Sequence, residues 1–317
     1  MLMKKFLLKR ILIMIPVFFG MTILIFVLSN LTPGSPVDAM ITADMTPADI
    51  EALYVRMGLD QPLHIQYLRW LGRLFQGSLG YSFRTGTAVT GVIGERVGPT
   101  LLLTGTALAL AIAAGVLFGV AAACKPYSVW DYMASGLSFI GAGVPTFFLA
   151  LVFIYCFAVK LQWLPTGGMY ANASTKDWMD VAKHLLMPAV LLGISMTGGY
   201  IRQTRSSMLE VMGEEYVKMA RAKGMREKVV LYSHALRNAM LPVATQIGMS
   251  VPFLVGGAVV TEQVFGWPGM GSLMVLSITY RDYPVIMGVT VYTTCAVMVV
   301  NLLMDIIYAL LDPRVRN

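Results

Sequence analysis

GEEYVKMARAKGMREKVVLYSHALRNAMLP, residues 213–242, is a polar island in a chain that is otherwise mostly apolar. It carries Glu214, Glu215, Lys218, Arg221, Lys223, Arg226, Glu227, Lys228 and Arg237. Two membrane spans need no such stretch merely to reverse direction. The island reads as two short helices. Glu214 and Glu215 open the first, where negative charge meets the positive end of the helix dipole; Lys218, Arg221 and Lys223 lie toward its negative end. Gly224 follows, where a helix C-terminus favours glycine. Arg226 to Arg237 resumes a helix with Val229, Val230, Tyr232 and Leu236 available for one face, and Pro242 begins the next span. Helix, glycine turn and return helix make a compact knob, suited to docking a soluble motor. A solvated connector is the plainer alternative.

The rest of the chain is membrane-like. Of 317 residues, 57% are hydrophobic and 13% charged, about half the charge of a soluble domain. Mean hydropathy is +0.69. The net charge of +7 is spread over loops between apolar runs, so membrane topology explains it and nucleic acid does not. Cys124, Cys156 and Cys295 form no paired motif and read as small packing residues. His64, His184 and His234 are scattered, without metal-ligand spacing.

Residues 1–31 read as a basic N-terminal segment and a first, uncleaved span over Ile11 to Leu31. Residues 32–96 are polar and too broken to span. Within them Thr46, Pro47 and Asp49 have the pattern of a helix start. Leu63, Tyr67, Trp70, Leu71 and Leu74 have helical spacing. This segment reads as an extracytoplasmic insertion of small helices on the membrane face. Residues 97–311 form the membrane core. Span two covers Val97 to Cys124, with Ala107, Ala111, Gly115, Gly119 and Ala123 forming a small-residue stripe that admits a close helix neighbour. Span three covers Tyr132 to Val159 and should bend or break at Pro145. Lys160 to His184 reads as a loop. The charge-free run Leu185 to Ile201 is short for span four and can extend into its flanks. Span five covers Asn238 to Thr261, with Gly256 and Gly257 as bending points. GWPGMG then stops a helix and can dip back into the protein. Span six covers Tyr283 to Leu311, carrying Asp305 near one end, and residues 312–317 form a tail. Six spans put both termini inside. That places 15 of the 24 Lys and Arg residues on the cytoplasmic side, in agreement with the positive-inside rule.

Catalytic motifs are absent. No Gly-Lys pair exists, which excludes a phosphate-binding GxxxxGK loop, and neither GxSxG nor HExxH occurs. A self-sufficient secondary carrier would need an ionisable relay in mid-membrane. Asp305 is the one acidic residue well inside a predicted span, and it lies near a membrane face. Energy therefore has to come from elsewhere, and the 213–242 island is the candidate inlet.

EYVKMARAKG at 215–224 with HALRNAMLPV at 234–243 closely resembles the signature loop of membrane subunits of ATP-binding-cassette importers, in the dipeptide/oligopeptide/nickel permease branch. GLDQPLHIQYLRWL at 58–71, GSLGYSF at 77–83, LQWLPTGG at 161–168, VFGWPGMG at 264–271 and the terminal DPR are similar to that branch too, to the first permease of its pair. General importers carry Glu six residues before the glycine. Here Lys218 stands there, with Glu215 nine before, and the interval from Gly224 to Pro242 is longer, as in the peptide branch. The resemblance implies an all-α membrane protein with the six-span type I importer permease fold. It implies a multi-pass protein of a bacterial or archaeal cytoplasmic membrane. It implies a second homologous permease, two cytoplasmic ATP-binding subunits and an extracytoplasmic substrate-binding protein as partners, beside the membrane lipids. ATP and Mg would sit on the ATPases, with no cofactor or metal on this chain. Glu214, Glu215, Ala220, Arg221, Ala222, Lys223, Gly224 and Met225 are the implied ATPase contact, with Ala220 and Ala222 allowing close approach. Pro145, Gly256 and Gly257 are the implied bending points along the pathway. Peptide is the implied cargo, with nickel chelates, glutathione, haem and oligosaccharides as alternatives.

Overall fold

The computed structural model describes residues 2–31, 37, 41, 44–172 and 177–311. The tail 312–317, with its DPR, and most of residues 32–43 lie outside the described residues. The chain is helical, and the one β contact among the described residues is an isolated bridge between Tyr81 and Ala88. It divides into two compact units, residues 1–98 with 269–317, and residues 99–268.

In the first unit, α1 (Leu2–Leu31) is followed by α2 (Pro47–Met57) and α3 (Leu63–Phe75). The sequence pattern at α2 is realised as a full capping box. The Asp49 N–H donates to Thr46 Oγ1, and the Asp49 carboxylate accepts from the Thr46 N–H at 2.9 Å. The Thr46 hydroxyl also donates to the Asp49 carboxylate at 2.7 Å, and this bond, with that from the Thr46 N–H, holds the carboxyl below its usual range. The apolar stripe of α3 packs as its spacing requires. Trp70 is buried with Phe26 of α1 and with Met287 and Val291 further along, and Tyr67, Leu71 and Leu74 pack around them. Tyr67 also shares a hydrogen bond with Thr22 at 2.9 Å. The insertion helix therefore lies against the spans.

The long helix α4 (Val89–Cys124) begins eight residues before the predicted span, because its first two turns bury Val89 and Ile93 against Met270, Leu273, Val285 and Val289. Its remaining length, from Pro99, belongs to the second unit. There α5 (Val129–Gly143) and α6 (Thr146–Phe153), extended by a π-helical segment Ile154–Lys160, form a bent pair. The pair turns by 109° at the break. Val144 is extended, as a residue before proline prefers, and Pro145 sets the start of α6. The expected break at Pro145 is thus present, and it is sharper than a kink.

The predicted loop 160–184 is partly helix. The helix α7 (Trp178–Gly213) extends the short span at both ends. It lies at the centre of its unit. A Cβ at Gly115 would overlap Tyr200 Cβ, and one at Gly119 would stand 2.6 Å from Thr204 Cβ. Ala107, Ala111 and Ala123 are fully buried, so the small-residue stripe of α4 is the line along which α7 approaches. On another side, a Cβ at Gly198 would stand 3.0 Å from Ser138 Cα of α5. Asp131 of α5 pairs with Arg205 of α7 at 3.0 Å and also accepts the Tyr127 N–H.

After α7 come α8 (Glu215–Ala222) and α9 (Glu227–Val229), a π segment Val230–Ala235, and α10 (Leu236–Ser250). The predicted boundary at Pro242 is corrected here. The return helix and span five form one apolar helical run, Glu227–Gly256, with Pro242 inside α10. Its end is also earlier than expected. The short α11 (Phe253–Gly256) stops at Gly257, whose φ of 79° favours glycine, and α12 (Val259–Val264) resumes beyond it. GWPGMG then separates α12 from α13 (Met270–Thr279), which leads to α14 (Tyr283–Leu311). Asp305 of α14 pairs with Arg10 at 3.1 Å. Among the described residues, five helices are long and apolar enough to cross a membrane, and the bent α5–α6 pair counted as one span makes six.

Candidate functional site

The site is built on the end of α7. A single residue, Glu214, separates the end of α7 from the start of α8. This N-cap residue of α8 is extended at φ −67° and ψ 148°, and its side chain makes no capping bond. The C-terminus closes on Gly224 at φ 72°. Gly224 N–H donates to Arg221 O at 2.9 Å and Lys223 N–H to Met219 O at 3.0 Å, satisfying carbonyls the helix end would leave bare. Nothing lies within 4 Å of a Cβ placed on Gly224. Its requirement is therefore backbone conformation, not space.

Three further contacts are made within the knob. Val217 and Ala220 are buried against Val230, with Val211 of α7 beside them. Arg221 reaches over the turn to Glu227 at 2.8 Å, and this partner holds the guanidinium pKa above its ordinary value. Asn238 of α10 donates to Tyr216 Oη at 2.8 Å. The π segment that follows widens the helix just where it leaves the knob, a feature often found near functional sites.

Of the eight residues expected to meet an ATPase, Glu214, Glu215, Arg221, Ala222, Lys223, Gly224 and Met225 are exposed around one turn of chain. Ala220 is not; it faces inward and packs the knob. Two exposed apolar side chains escaped the sequence reading. Met219 is 58% exposed and Tyr216 41%, on a segment outside the apolar runs. Methionine adapts to irregular surfaces, and an exposed apolar patch with a charged rim is the composition of a docking face.

The bending points fall on separate helices. Pro145 stands at the α5–α6 break. Gly256 and Gly257 stand at the α11–α12 break, which is braced from α4. The helical bond from Ala258 N–H to Leu254 O is missing. Instead Leu254 O accepts from Thr104 Oγ1 at 2.9 Å, and Ala258 N–H donates to Glu262 Oε1 at 3.3 Å. Thr100, one turn before Thr104, donates to Glu262 Oε1 at 3.1 Å. Glu262 is fully buried. It lies just beyond the predicted end of span five at Thr261, and its partner Thr100 is far away along the chain. Two resemblance motifs also meet here: Gly168 N–H of LQWLPTGG donates to Phe265 O of VFGWPGMG at 2.7 Å. Beside them, the buried Trp267 indole N–H donates to Pro99 O at 2.9 Å.

Residues 115–317 match the family described as binding-protein-dependent transport system inner membrane component, and residues 3–104 match its N-terminal family. The chain belongs to this family. It is thus a membrane permease subunit of an ABC importer, and ATP hydrolysis in such systems resides on a separate subunit. A putative peptide permease protein of Brucella suis is 47% identical over 317 residues, covering 99% of each chain. The oligopeptide transport system permease protein AppB of Bacillus subtilis is 43% identical over 314 residues, with 99% of both covered. The di/tripeptide transport system permease protein DppB of Pseudomonas aeruginosa is 39% identical over 335 residues, again with 99% of both covered.

Proposed function

We propose that this permease subunit forms half of the translocation pathway of an importer for di- and oligopeptides, and that the 213–242 segment takes up the motion of a cytoplasmic ATPase. The observation that carries the reading is the exposed helical knob of α8 and the Gly224 turn. It projects between two membrane helices, α7 and the 227–256 run, and is braced so that a push on it reaches both. The permease names of the relatives support peptide cargo. A second homologous permease completes the pathway, two ATPases carry ATP and Mg, and an extracytoplasmic binding protein delivers cargo. Both termini lie in the cytoplasm, supported by the basic residues of the knob and of the N-terminal segment. ATP binding closes the ATPases, the knob follows, and the helices reorient between two packings. Pro145, Gly256 and Gly257 are where the pathway helices change direction.

The cargo is tested by reconstituting the assembly with its binding protein and measuring ATP hydrolysis. Di- and oligopeptides should stimulate it; stimulation by a nickel chelate, glutathione, haem or an oligosaccharide but by no peptide overturns peptide as cargo. Coupling is tested by Gly224→Asp, which should abolish uptake while the chain still inserts. Normal uptake by that variant would sink the coupling assignment.

A further inference from the structure

The first unit contains a cleft of about 950 Å³ that the transport reading does not use. It lies at the C-terminal end of α1 and the N-terminal start of α14, with α2, α3 and the 78–86 loop around it. Its lining includes Arg69 and Arg73, one turn apart on α3, and no acidic residue among the described residues. Neither arginine has an ion-pair or hydrogen-bond partner among the described residues. The nearby Asp282 is engaged, accepting from Ser82 Oγ and from the Phe83 N–H.

Two hydroxyls in the lining are orphaned. Ser29 and Tyr283 are each 9% exposed, and Ser29 Oγ and Tyr283 Oη have no hydrogen-bond partner. Serine in a helix usually bonds back to a carbonyl one turn earlier, and a buried tyrosine hydroxyl usually finds a partner. Leaving both unmade is costly unless a ligand or water completes them. Phe26, Trp70 and Met287 supply an apolar wall. The size suits a small-molecule site, and the polar set suits an oxyanion: guanidinium groups for charge, hydroxyls for hydrogen bonds.

We infer that this cleft holds the phosphate headgroup of an anionic phospholipid. The oxyanion chemistry is shared with free phosphate and with a peptide carboxylate. What favours lipid is position. Ile23, Leu24, Val27, Leu28 and Leu31 on the same end of α1 are exposed, so the cleft lies at the end of a span whose other face is apolar, the depth at which headgroups lie. The inference is independent of which cargo is carried.

The test is native mass spectrometry of the full chain, purified with whatever subunits accompany it, delipidated and titrated with phosphatidylglycerol or with phosphatidylcholine of the same acyl chains. One tight phosphatidylglycerol adduct is expected. Arg69→Gln with Arg73→Gln should weaken it by about tenfold or more and leave phosphatidylcholine binding unchanged. Tyr283→Phe and Ser29→Ala, which remove unsatisfied groups and preserve shape, should each weaken it while the lipid-free protein melts no lower than wild type. Equal adduct retention in wild type and the double arginine variant overturns the site. Displacement of the adduct by millimolar inorganic phosphate or by a dipeptide overturns the lipid assignment in favour of a free anion or of cargo.

Discussion

The α4–α7 seam and the α8–α9 knob both depend on glycine, for opposite reasons. At Gly115 and Gly119 the backbone is ordinary helix and there is no room: a side chain would enter Tyr200 or Thr204. At Gly224 there is open space, and the backbone at φ 72° is what other residues resist. The seam uses glycine to set a distance between helices; the knob uses it to set a direction. A distance set by backbone contact resists small deformation, so the helices of the second unit should move as packed bodies. A direction set by one turn makes the knob a handle on them.

The largest effect should come from closing the seam. Gly115→Val places a branched side chain where Tyr200 Cβ already stands, 3.2 Å from the Tyr200 carbonyl carbon. Overpacking costs about 1–3 kcal/mol and more where the backbone must shift. Little folded protein should be recovered from the membrane. Near wild-type recovery and melting would show that the seam yields, and would remove the contrast with the knob. Next comes the brace from α4 to the α11–α12 break. Glu262→Leu removes the oxygen that accepts from the Ala258 N–H and from Thr100, and an Ala258 N–H left buried without its bond costs about 1–3 kcal/mol. Glu262→Gln keeps an acceptor oxygen and should recover most of the loss in a thermal melt. If Gln melts as low as Leu, the carboxylate charge matters rather than the accepted bonds.

These two regions were not equally legible in the sequence. The seam could be read because its small residues repeat every fourth position on one helix. The knob could be read because its cues are local: Glu215, Gly224 and the charges between them are close along the chain. The capping box at Thr46 and Asp49 was legible for the same reason. The brace was not. Thr100 and Glu262 are distant in sequence, and a glutamate beside a Gly/Pro cluster looks like a loop residue until the fold buries it. The boundary at Pro242 failed because proline inside a helix reads as a start when the preceding residues are polar. Ala220 was counted as a contact because its composition suggested close approach, while helical phase turns it inward with Val217. Pro145 announced a break in α5–α6 but carried no information on the 109° angle.

A smaller effect on stability should follow from Gly224→Ala. The side chain fits, so the penalty is conformational, about 1 kcal/mol for a residue held in the left-handed region. The chain should insert and melt almost as wild type, while transport falls, because strain at the turn is relieved by tilting α8. Gly224→Asn, which tolerates that region better, should transport more than Ala. The order Gly, Asn, Ala tests direction; if Asn and Ala are equally impaired, side-chain bulk at a contact is responsible and the glycine sets a distance after all.

The smallest effect separates the knob's shape from its surface. Arg221 and Glu227 are exposed, and an exposed ion pair contributes little because water and salt screen it. The knob is held beneath by Val217, Ala220 and Val230 and across by Tyr216 and Asn238, none of which needs the pair. Arg221→Gln should therefore leave the melting temperature unchanged at low and high salt. Transport should fall only modestly, since Glu215, Lys223 and Met219 still present a charged rim around an apolar contact. Abolished transport with an unchanged melt would mean that the Arg221 guanidinium itself touches the ATPase, with Glu227 holding it ready. Comparing Arg221→Gln with Glu227→Gln then decides the matter. A guanidinium that merely braces the turn fails equally from either side. One that contacts the partner survives loss of Glu227 better than its own loss.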